Sequence, residues 1–167
     1  FYFWKTTYQL SATEKEYLND LNVQKLYVRF FDVDIKNNEA VPVGEINVQE
    51  KNEKQEIIPV VFITNETFTN LDKKKIEELA KHVKNEIEFV YQKISDKKNK
   101  EIQFDCDWTV STRNKYFYFL NQMKLLDPKI IFSATIRLHQ IKDKEQTGIP
   151  PVNKGVLMYY ATSNPLQ

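Results

Sequence analysis

Short apolar segments alternate with amphipathic ones along the chain, and this alternation constrains the fold more than any other feature. The segment IIPVVFITNE is apolar almost throughout, which is typical of a strand that is buried on both faces. Apolar residues at helical spacing predict helices over 11–21, 71–95 and 115–126. Strands are predicted over 1–8, 25–34, 57–66, 101–109, 130–139 and 155–162. Strands that alternate with helices favour an α/β protein whose parallel sheet is covered by helices.

The length of 167 residues is enough for one domain with a substantial core. A complete eight-stranded β/α barrel needs about 250 residues, so six strands predict an incomplete barrel or a fragment. An open sheet is the alternative that would fit this length. We therefore expect one partial, TIM-barrel-like domain over 1–167, with a polar, hairpin-like insertion around 36–55.

Composition excludes several classes of protein. The net charge of +1 argues against nucleic-acid binding, and three glycines leave no room for a phosphate-binding loop. A single cysteine, Cys106, excludes an internal disulfide and a cysteine-based zinc site. No apolar run is long enough to span a membrane. We expect no cofactor. The chain begins on FYFW rather than methionine, which predicts a processed or trimmed start and leaves export open.

The segment EIQFDCDWT has an apolar face and a polar face. Residues 102, 104, 106 and 108 lie on the apolar side of an extended chain, whereas Gln103, Asp105 and Asp107 lie on the other. If that second face is also buried, the two carboxylates need compensation, because each is costly to desolvate and they repel each other. Arg137 and His139 lie on the matching face of the next predicted strand, so we expect them to neutralise the aspartates.

Four of the predicted strands end in polar or aromatic residues. Ligands bind at the carboxyl ends of strands in barrels and open α/β sheets, so these residues are candidates for a site. They are Asp32 and Asp34; Asn65 and Glu66; Asp105, Asp107 and Trp108; and Arg137 and His139. The alternative is a buried ion network that serves only packing.

The strand around Asp105 resembles the fourth strand of chitinase-type glycoside hydrolases. Their signature is Asp-x-Asp-x-Glu with a tryptophan before the glutamate, and QFDCDWT matches it at Asp105, Asp107 and Trp108. LMYYA is similar to their sixth strand, with Met158 and Tyr160 matching, and FSATIRLH resembles the strand between. The resemblance implies a TIM barrel that acts on a glycan.

Most of the chain also resembles a group of uncharacterised bacterial barrel proteins, through the motifs FDCDWT, SATIRLHQ and PPVNKGVLMYY. Many members of that group are predicted to be exported lipoproteins. This resemblance implies export to the periplasm or outer membrane, a lipid anchor upstream of the chain, and a glycan or other envelope proteins as partners.

The chain departs from the chitinase pattern at three positions. Thr109 stands where the general acid would be, Ala161 replaces the aspartate after the sixth-strand tyrosine, and Ile102 falls at the first motif acid. Threonine cannot protonate a glycosidic oxygen, so substrate-assisted hydrolysis cannot run from this strand. Either another carboxylate supplies the proton, or the protein is a non-catalytic scaffold of an envelope complex.

Two sets of candidate residues follow. Asp105, Asp107 and Glu66 are the candidate catalytic carboxylates. The candidate ligand-binding residues, several of them aromatics that could stack on sugar rings, are Asp32, Asp34, Trp108, Arg137, His139, Tyr160 and Trp4. We predict no metal site. Two alternatives remain open: a metal site built from Asp32, Asp34 and His139, and a metal-nucleotide site of the glycosyltransferase type.

Overall fold

A computed structural model describes residues 1–37 and 39–158. The elements follow the chain as β1 (Tyr2–Phe3), β2 (Thr7–Tyr8), α1 (Ala12–Asp20), β3 (Lys25–Lys36), β4 (Glu39–Val43), β5 (Asn47–Val48), β6 (Glu56–Ile63), a 3-10 turn (Asn65–Phe68), α2 (Lys73–Ile94), β7 (Glu101–Cys106), α3 (Arg113–Leu126), β8 (Ile131–Arg137), α4 (Leu138–Lys142), α5 (Lys144–Thr147) and β9 (Lys154–Met158).

Six parallel strands form one curled sheet in the order β1, β3, β6, β7, β8, β9. These six strands lie side by side in the order in which they occur along the chain, and β2, β4 and β5 are outside this series. Helices connect all of the neighbouring strands except β3 and β6. This is the strand order of a β/α barrel, and the sheet forms half of one. The predicted fold class, an α/β protein with an incomplete TIM-like barrel, is therefore confirmed.

A side-chain contact across the sheet shows how strongly it curls. The hydroxyl of Tyr2 on β1 donates to Oε1 of Gln103 on β7 at 2.8 Å, although β3 and β6 lie between these strands. Neighbouring strands are about 4.8 Å apart, so three steps across a flat sheet would exceed the reach of a tyrosine. The curl thus gives the sheet a concave inner face and a convex outer face.

The apolar core lies between the outer face and the helices α2 and α3. Helix α2 begins at its cap Asp72, whose side chain accepts from the backbone N–H of Lys75 at 2.8 Å. Phe104 on β7 packs edge-on against Phe119 of α3 and parallel to Phe132 of β8, at ring-centroid distances of 5.2 Å and 6.1 Å. Successive side chains of a strand point to opposite faces of the sheet, so the residues between those that pack on the helices face the inner side.

The polar segment between β3 and β6 contains two short strands. Strand β4 folds back antiparallel on the end of β3, where Val43 pairs with Asp32 and Glu39 with Lys36. Strand β5 pairs with β2 in a separate two-stranded sheet.

Two predicted elements differ in the structure. Strand β8 ends at Arg137 rather than at residue 139, and the segment that follows, where no helix is predicted, holds the short helices α4 and α5. Helix α4 starts there because the Gln140 side chain accepts the Arg137 backbone N–H at 2.8 Å. The predicted sixth strand is present as β9 over Lys154–Met158, and its remainder, with Tyr160 and Ala161, lies outside the described residues.

Candidate functional site

Two aspartates and an arginine meet at the carboxyl ends of β7 and β8. Arg137 donates through Nε to Oδ1 of Asp107 and through its terminal nitrogen to Oδ1 of Asp105 at 3.2 Å. The hydroxyl of Thr135 donates to the same Asp105 oxygen at 2.5 Å. The side chain of Asp105 is 5% exposed, whereas that of Asp107 is 51% exposed. The predicted contact between Arg137 and the aspartates is present, and we call these three residues the carboxylate cluster.

Burial dominates the electrostatics of Asp105. It raises the pKa of the Asp105 carboxyl, and the charges of Asp107 and Asp32 act in the same direction. The Thr135 hydrogen bond and the Arg137 guanidinium lower this pKa, but they do not cancel the effect of burial. Asp105 thus holds a proton more readily than an ordinary aspartate.

The aspartates of β3 are held separately from the carboxylate cluster. Arg29 binds Asp32 with both Nε and a terminal nitrogen, at 2.8 Å and 2.5 Å. Asp34 accepts from the backbone N–H of Ile35 at 2.8 Å and from the Thr64 hydroxyl at 3.0 Å. Asp32 shares a register row with Asp105, because both are paired with Phe62 of the strand between them. The candidates Asp32 and Asp105 therefore lie on one face.

A second ion network lies at the amino ends of β3, β7 and β9. Glu101 on β7 is 1% exposed and accepts from Lys154 at 2.7 Å and from Lys25 at 3.3 Å. Burial raises the pKa of Glu101, but hydrogen bonds from Lys154 and Ser133 and the nearby lysine charges outweigh it, so this pKa lies below its usual value. Burial and the Glu101 charge together raise the pKa of Tyr27 to about 12.

Aromatic side chains line the β1 side of the inner face. Tyr2 stacks on Tyr27 with ring centroids 5.0 Å apart, and Trp4 lies nearly parallel to Tyr2 at 6.2 Å with an interplanar angle of 13°. Trp4 is 44% exposed and Tyr2 is 37% exposed. We call Tyr2, Trp4 and Tyr27 the aromatic edge. The ligand-binding candidate Trp4 thus has an accessible ring.

Trp108 belongs to the core rather than to the site, which corrects the prediction that it could stack on a ligand. Its ring is 1% exposed and stacks on Tyr116 of α3 at 5.4 Å. Its indole N–H donates to the backbone oxygen of Thr147 at 2.9 Å. The side chain therefore packs on the helix side, and the inner face is on the opposite side of the sheet.

The other candidates lie apart from the carboxylate cluster. His139 is exposed on α4, so the prediction that it shares a strand face with Arg137 is wrong. Glu66 is exposed in the 3-10 turn after β6. Tyr160 lies outside the described residues. Thr109 occupies the position of the glutamate in the chitinase-type signature. Its hydroxyl forms a hydrogen bond with the hydroxyl of Ser111 at 2.9 Å.

Several polar residues of the inner face were not predicted as part of the site. Glu101, Gln103 and Thr135 could have been found, since Gln103 and Thr135 lie two residues, and Glu101 four residues, from a predicted candidate on the same strand face. Lys25 and Lys154 carry no such signal, because only the curl of the sheet brings them to Glu101. The inner face is therefore more extensively ion-paired than the sequence indicates.

Neither a metal centre nor a membrane span is found in the described parts of the chain. Residues 1–37 and 39–158 contain no group of three or more histidine, cysteine or acidic side chains arranged to hold a metal ion, so Asp32, Asp34 and His139 do not form one. In the same residues no helix is long and apolar enough to cross a bilayer.

The fold and the site define an α/β protein with a half-barrel of parallel strands and a polar inner face. Comparison with protein-family models, curated proteins and solved structures gave no match.

Proposed function

We propose that the protein is a glycoside-hydrolase-like barrel protein that binds a glycan on the inner face of its half-barrel. The observation that carries the proposal is the state of Asp107, which is half exposed at the carboxyl end of β7 while Arg137 holds it in place. Ligands of β/α barrels bind at this end of the strands. A carboxylate in a fixed pose is a suitable acceptor for the hydroxyl groups of a sugar.

The surroundings of Asp107 support a sugar as the ligand. Sugar sites combine a few fixed polar groups with apolar or aromatic surface. Here the carboxylate cluster supplies the polar groups, and Trp4 and Tyr2 supply exposed rings on the same concave face. The resemblance to chitinase-type enzymes at Asp105 and Asp107 points to the same class of ligand.

Binding is better supported than hydrolysis. A glycosidase needs a proton donor beside the scissile oxygen. Asp105 is the best candidate on electrostatic grounds, because burial raises its pKa, but its side chain is only 5% exposed. Glu66 is exposed but lies in the turn after β6, and Thr109 cannot donate the proton. We therefore propose a glycan-binding protein with little or no turnover.

The place of action is part of the same proposal. From the resemblance to exported bacterial barrel proteins, we propose a protein of the periplasm or outer membrane that is held by a lipid anchor upstream of the chain. Its partners would then be envelope glycans or envelope proteins.

A glycan array combined with a hydrolysis assay tests the proposal. We expect the wild type to bind at least one oligosaccharide and Asp107→Asn to bind it about tenfold more weakly, because a hydrogen bond to a charged group is lost. The matched control is Asp96→Asn, which changes an aspartate that is 80% exposed and paired with Lys51 at the other end of the sheet.

Three other outcomes would contradict the proposal in different ways. Equal affinity of Asp107→Asn and the wild type would exclude the carboxylate cluster as the binding site. Rapid turnover would contradict a binding role. Failure to bind any glycan would favour the alternative, a non-catalytic scaffold of an envelope complex, which pull-down of envelope proteins would then identify.

A further inference from the structure

We propose that Trp4, Tyr2 and Gln103 form a separate subsite for one neutral sugar ring, on the part of the inner face away from the carboxylate cluster. The inference rests on the proposed function, since it names a second place where the same glycan would be held. Two independent observations carry it: an exposed pair of stacked rings, and a buried amide that finds no acceptor within the described parts of the chain.

The stacked pair provides an apolar platform. Trp4 and Tyr2 are two residues apart on the same side of an extended chain, and their rings are within 13° of parallel. Both remain exposed, although a tryptophan is usually among the more buried residues of a protein. A flat, open aromatic surface beside polar groups is the arrangement that receives the apolar face of a sugar ring.

The amide of Gln103 supplies a hydrogen-bond donor beside this platform. Gln103 is fully buried, and its Oε1 accepts from the Tyr2 hydroxyl at 2.8 Å. Its Nε2 finds no hydrogen-bond partner among residues 1–37 and 39–158. Buried amide groups are almost always paired, so an unpaired one implies an acceptor that residues 1–37 and 39–158 do not supply. A hydroxyl oxygen of a sugar is such an acceptor.

Tyr2 connects the two observations. Its ring is part of the platform, and its hydroxyl holds the oxygen end of the Gln103 amide. The Tyr2 hydroxyl contacts Gln103 and the Tyr2 side chain is 37% exposed, so a shift of this hydroxyl, with the ring kept in the platform, would open Nε2 to a ligand seated against Trp4. The subsite therefore requires the Tyr2 hydroxyl to shift when the sugar binds, while the Tyr2 ring stays beside Trp4.

The charges around the subsite favour a neutral ligand. On β3, Arg29 is already bound through two nitrogens to the carboxylate of Asp32. On β7, Glu101 is already paired with Lys25 and Lys154. These charges are compensated within the protein, so the groups left to bind a ligand are an amide N–H and aromatic rings. An acidic sugar would gain no charged partner here.

Tryptophan fluorescence tests the subsite directly, because Trp4 and Trp108 are the only two tryptophans in the chain. In Trp108→Phe, the emission comes from Trp4 alone. We would titrate this protein with cellohexaose, maltohexaose and chitohexaose, and with an acidic oligogalacturonate. We expect one neutral oligosaccharide to shift the Trp4 emission and to protect it from acrylamide quenching, and the oligogalacturonate to do neither.

Affinity measurements on variants complete the test. We expect Trp4→Ala and Gln103→Leu each to weaken binding of that oligosaccharide about tenfold, as the loss of one hydrogen bond or one stacked ring implies. Trp4→Phe, which keeps a ring, should lose less. If Gln103→Leu does not fold, Trp4→Ala still decides, because the Trp4 ring is 44% exposed and its removal leaves the core intact.

The possible results separate this inference from the proposed function. If Asp107→Asn weakens binding but Trp4→Ala and Gln103→Leu bind as the wild type does, the subsite is overturned and the proposed function stands. If the oligosaccharide binds without any change in Trp4 fluorescence, the subsite is likewise overturned. If no oligosaccharide binds, both fail.

Discussion

Arg137 on β8 lies 3.2 Å from a carboxylate oxygen of Asp105 on the neighbouring strand, and it holds Asp107 with a second nitrogen. One guanidinium thus binds two aspartates of a single strand. This explains how one segment can carry a buried acid, Asp105, and a half-exposed acid, Asp107, on the same face. Since Arg137 and Asp105 are both mostly buried, the pair matters for stability as well as for the proposed binding.

Replacing Arg137 by methionine should destabilise the protein strongly. The change leaves Asp105 buried without its charged partner, and breaking such a pair costs about 3–5 kcal/mol. Urea denaturation at neutral pH measures this loss. Arg113→Met is the control, because among the described residues Arg113 donates only to the backbone oxygen of Gln146 and to Asn114, so about 1 kcal/mol is expected there. Equal losses in the two variants would contradict a special role for Arg137.

The pH dependence of stability should reveal Asp105. Its pKa is raised in the folded protein by burial, so folding favours the protonated form. The stability that Asp105 contributes is full below the pKa of the unfolded chain, near 3.8, and is lost as the pH rises through the folded pKa. Asp105→Asn, which resembles the protonated acid, should not show this loss of stability with rising pH. Urea denaturation from about pH 4 to 7 checks it, and parallel curves for both proteins would refute it.

The sequence predicts the fold well because the fold depends on local periodicity. The apolar stripe of α2 and the alternation in EIQFDCDWT are both visible in the sequence, and they specify which face is covered by helices. The end of β8 was misplaced because a backbone hydrogen bond to Gln140 starts α4 at that point, and no residue type typical of a helix cap stands at Arg137.

The site was predicted less completely, for a different physical reason. Alternation alone puts Trp108 on the helix side with Phe104, whereas its assignment as a ligand residue rested on an aromatic ring that could stack on a sugar. The contact between Lys154 and Glu101 joins residues 53 positions apart. Such contacts depend on how far the sheet curls, which is a property of the whole sheet rather than of any segment.

Glu101 should show the opposite pH behaviour to Asp105. Burial raises its pKa, but the hydrogen bonds from Lys154 and Ser133 and the charges of Lys154 and Lys25 together outweigh burial, so the folded pKa is lowered. The stability it contributes is present above its unfolded pKa, near 4.5, and is lost as the pH falls through the folded pKa. Glu101→Gln should therefore be less stable than the wild type at pH 7. As the pH falls, its free energy of unfolding should decrease less than that of the wild type. A constant difference between the two proteins from pH 7 to about pH 3 would contradict this.

Truncation of the two tryptophans should change the free energy of unfolding to very different extents. Trp108→Ala removes a ring that is 1% exposed, its stack on Tyr116 and its hydrogen bond to Thr147, so a loss of about 3–5 kcal/mol in unfolding free energy is expected. Trp4→Ala removes a ring that is 44% exposed, and its effect should stay within about 1 kcal/mol. Urea denaturation, followed by circular dichroism so that the signal does not depend on tryptophan, measures both. A small loss of unfolding free energy in Trp108→Ala would mean that the Trp108 ring is not part of the core. Trp108 would then again be a candidate for contact with a glycan.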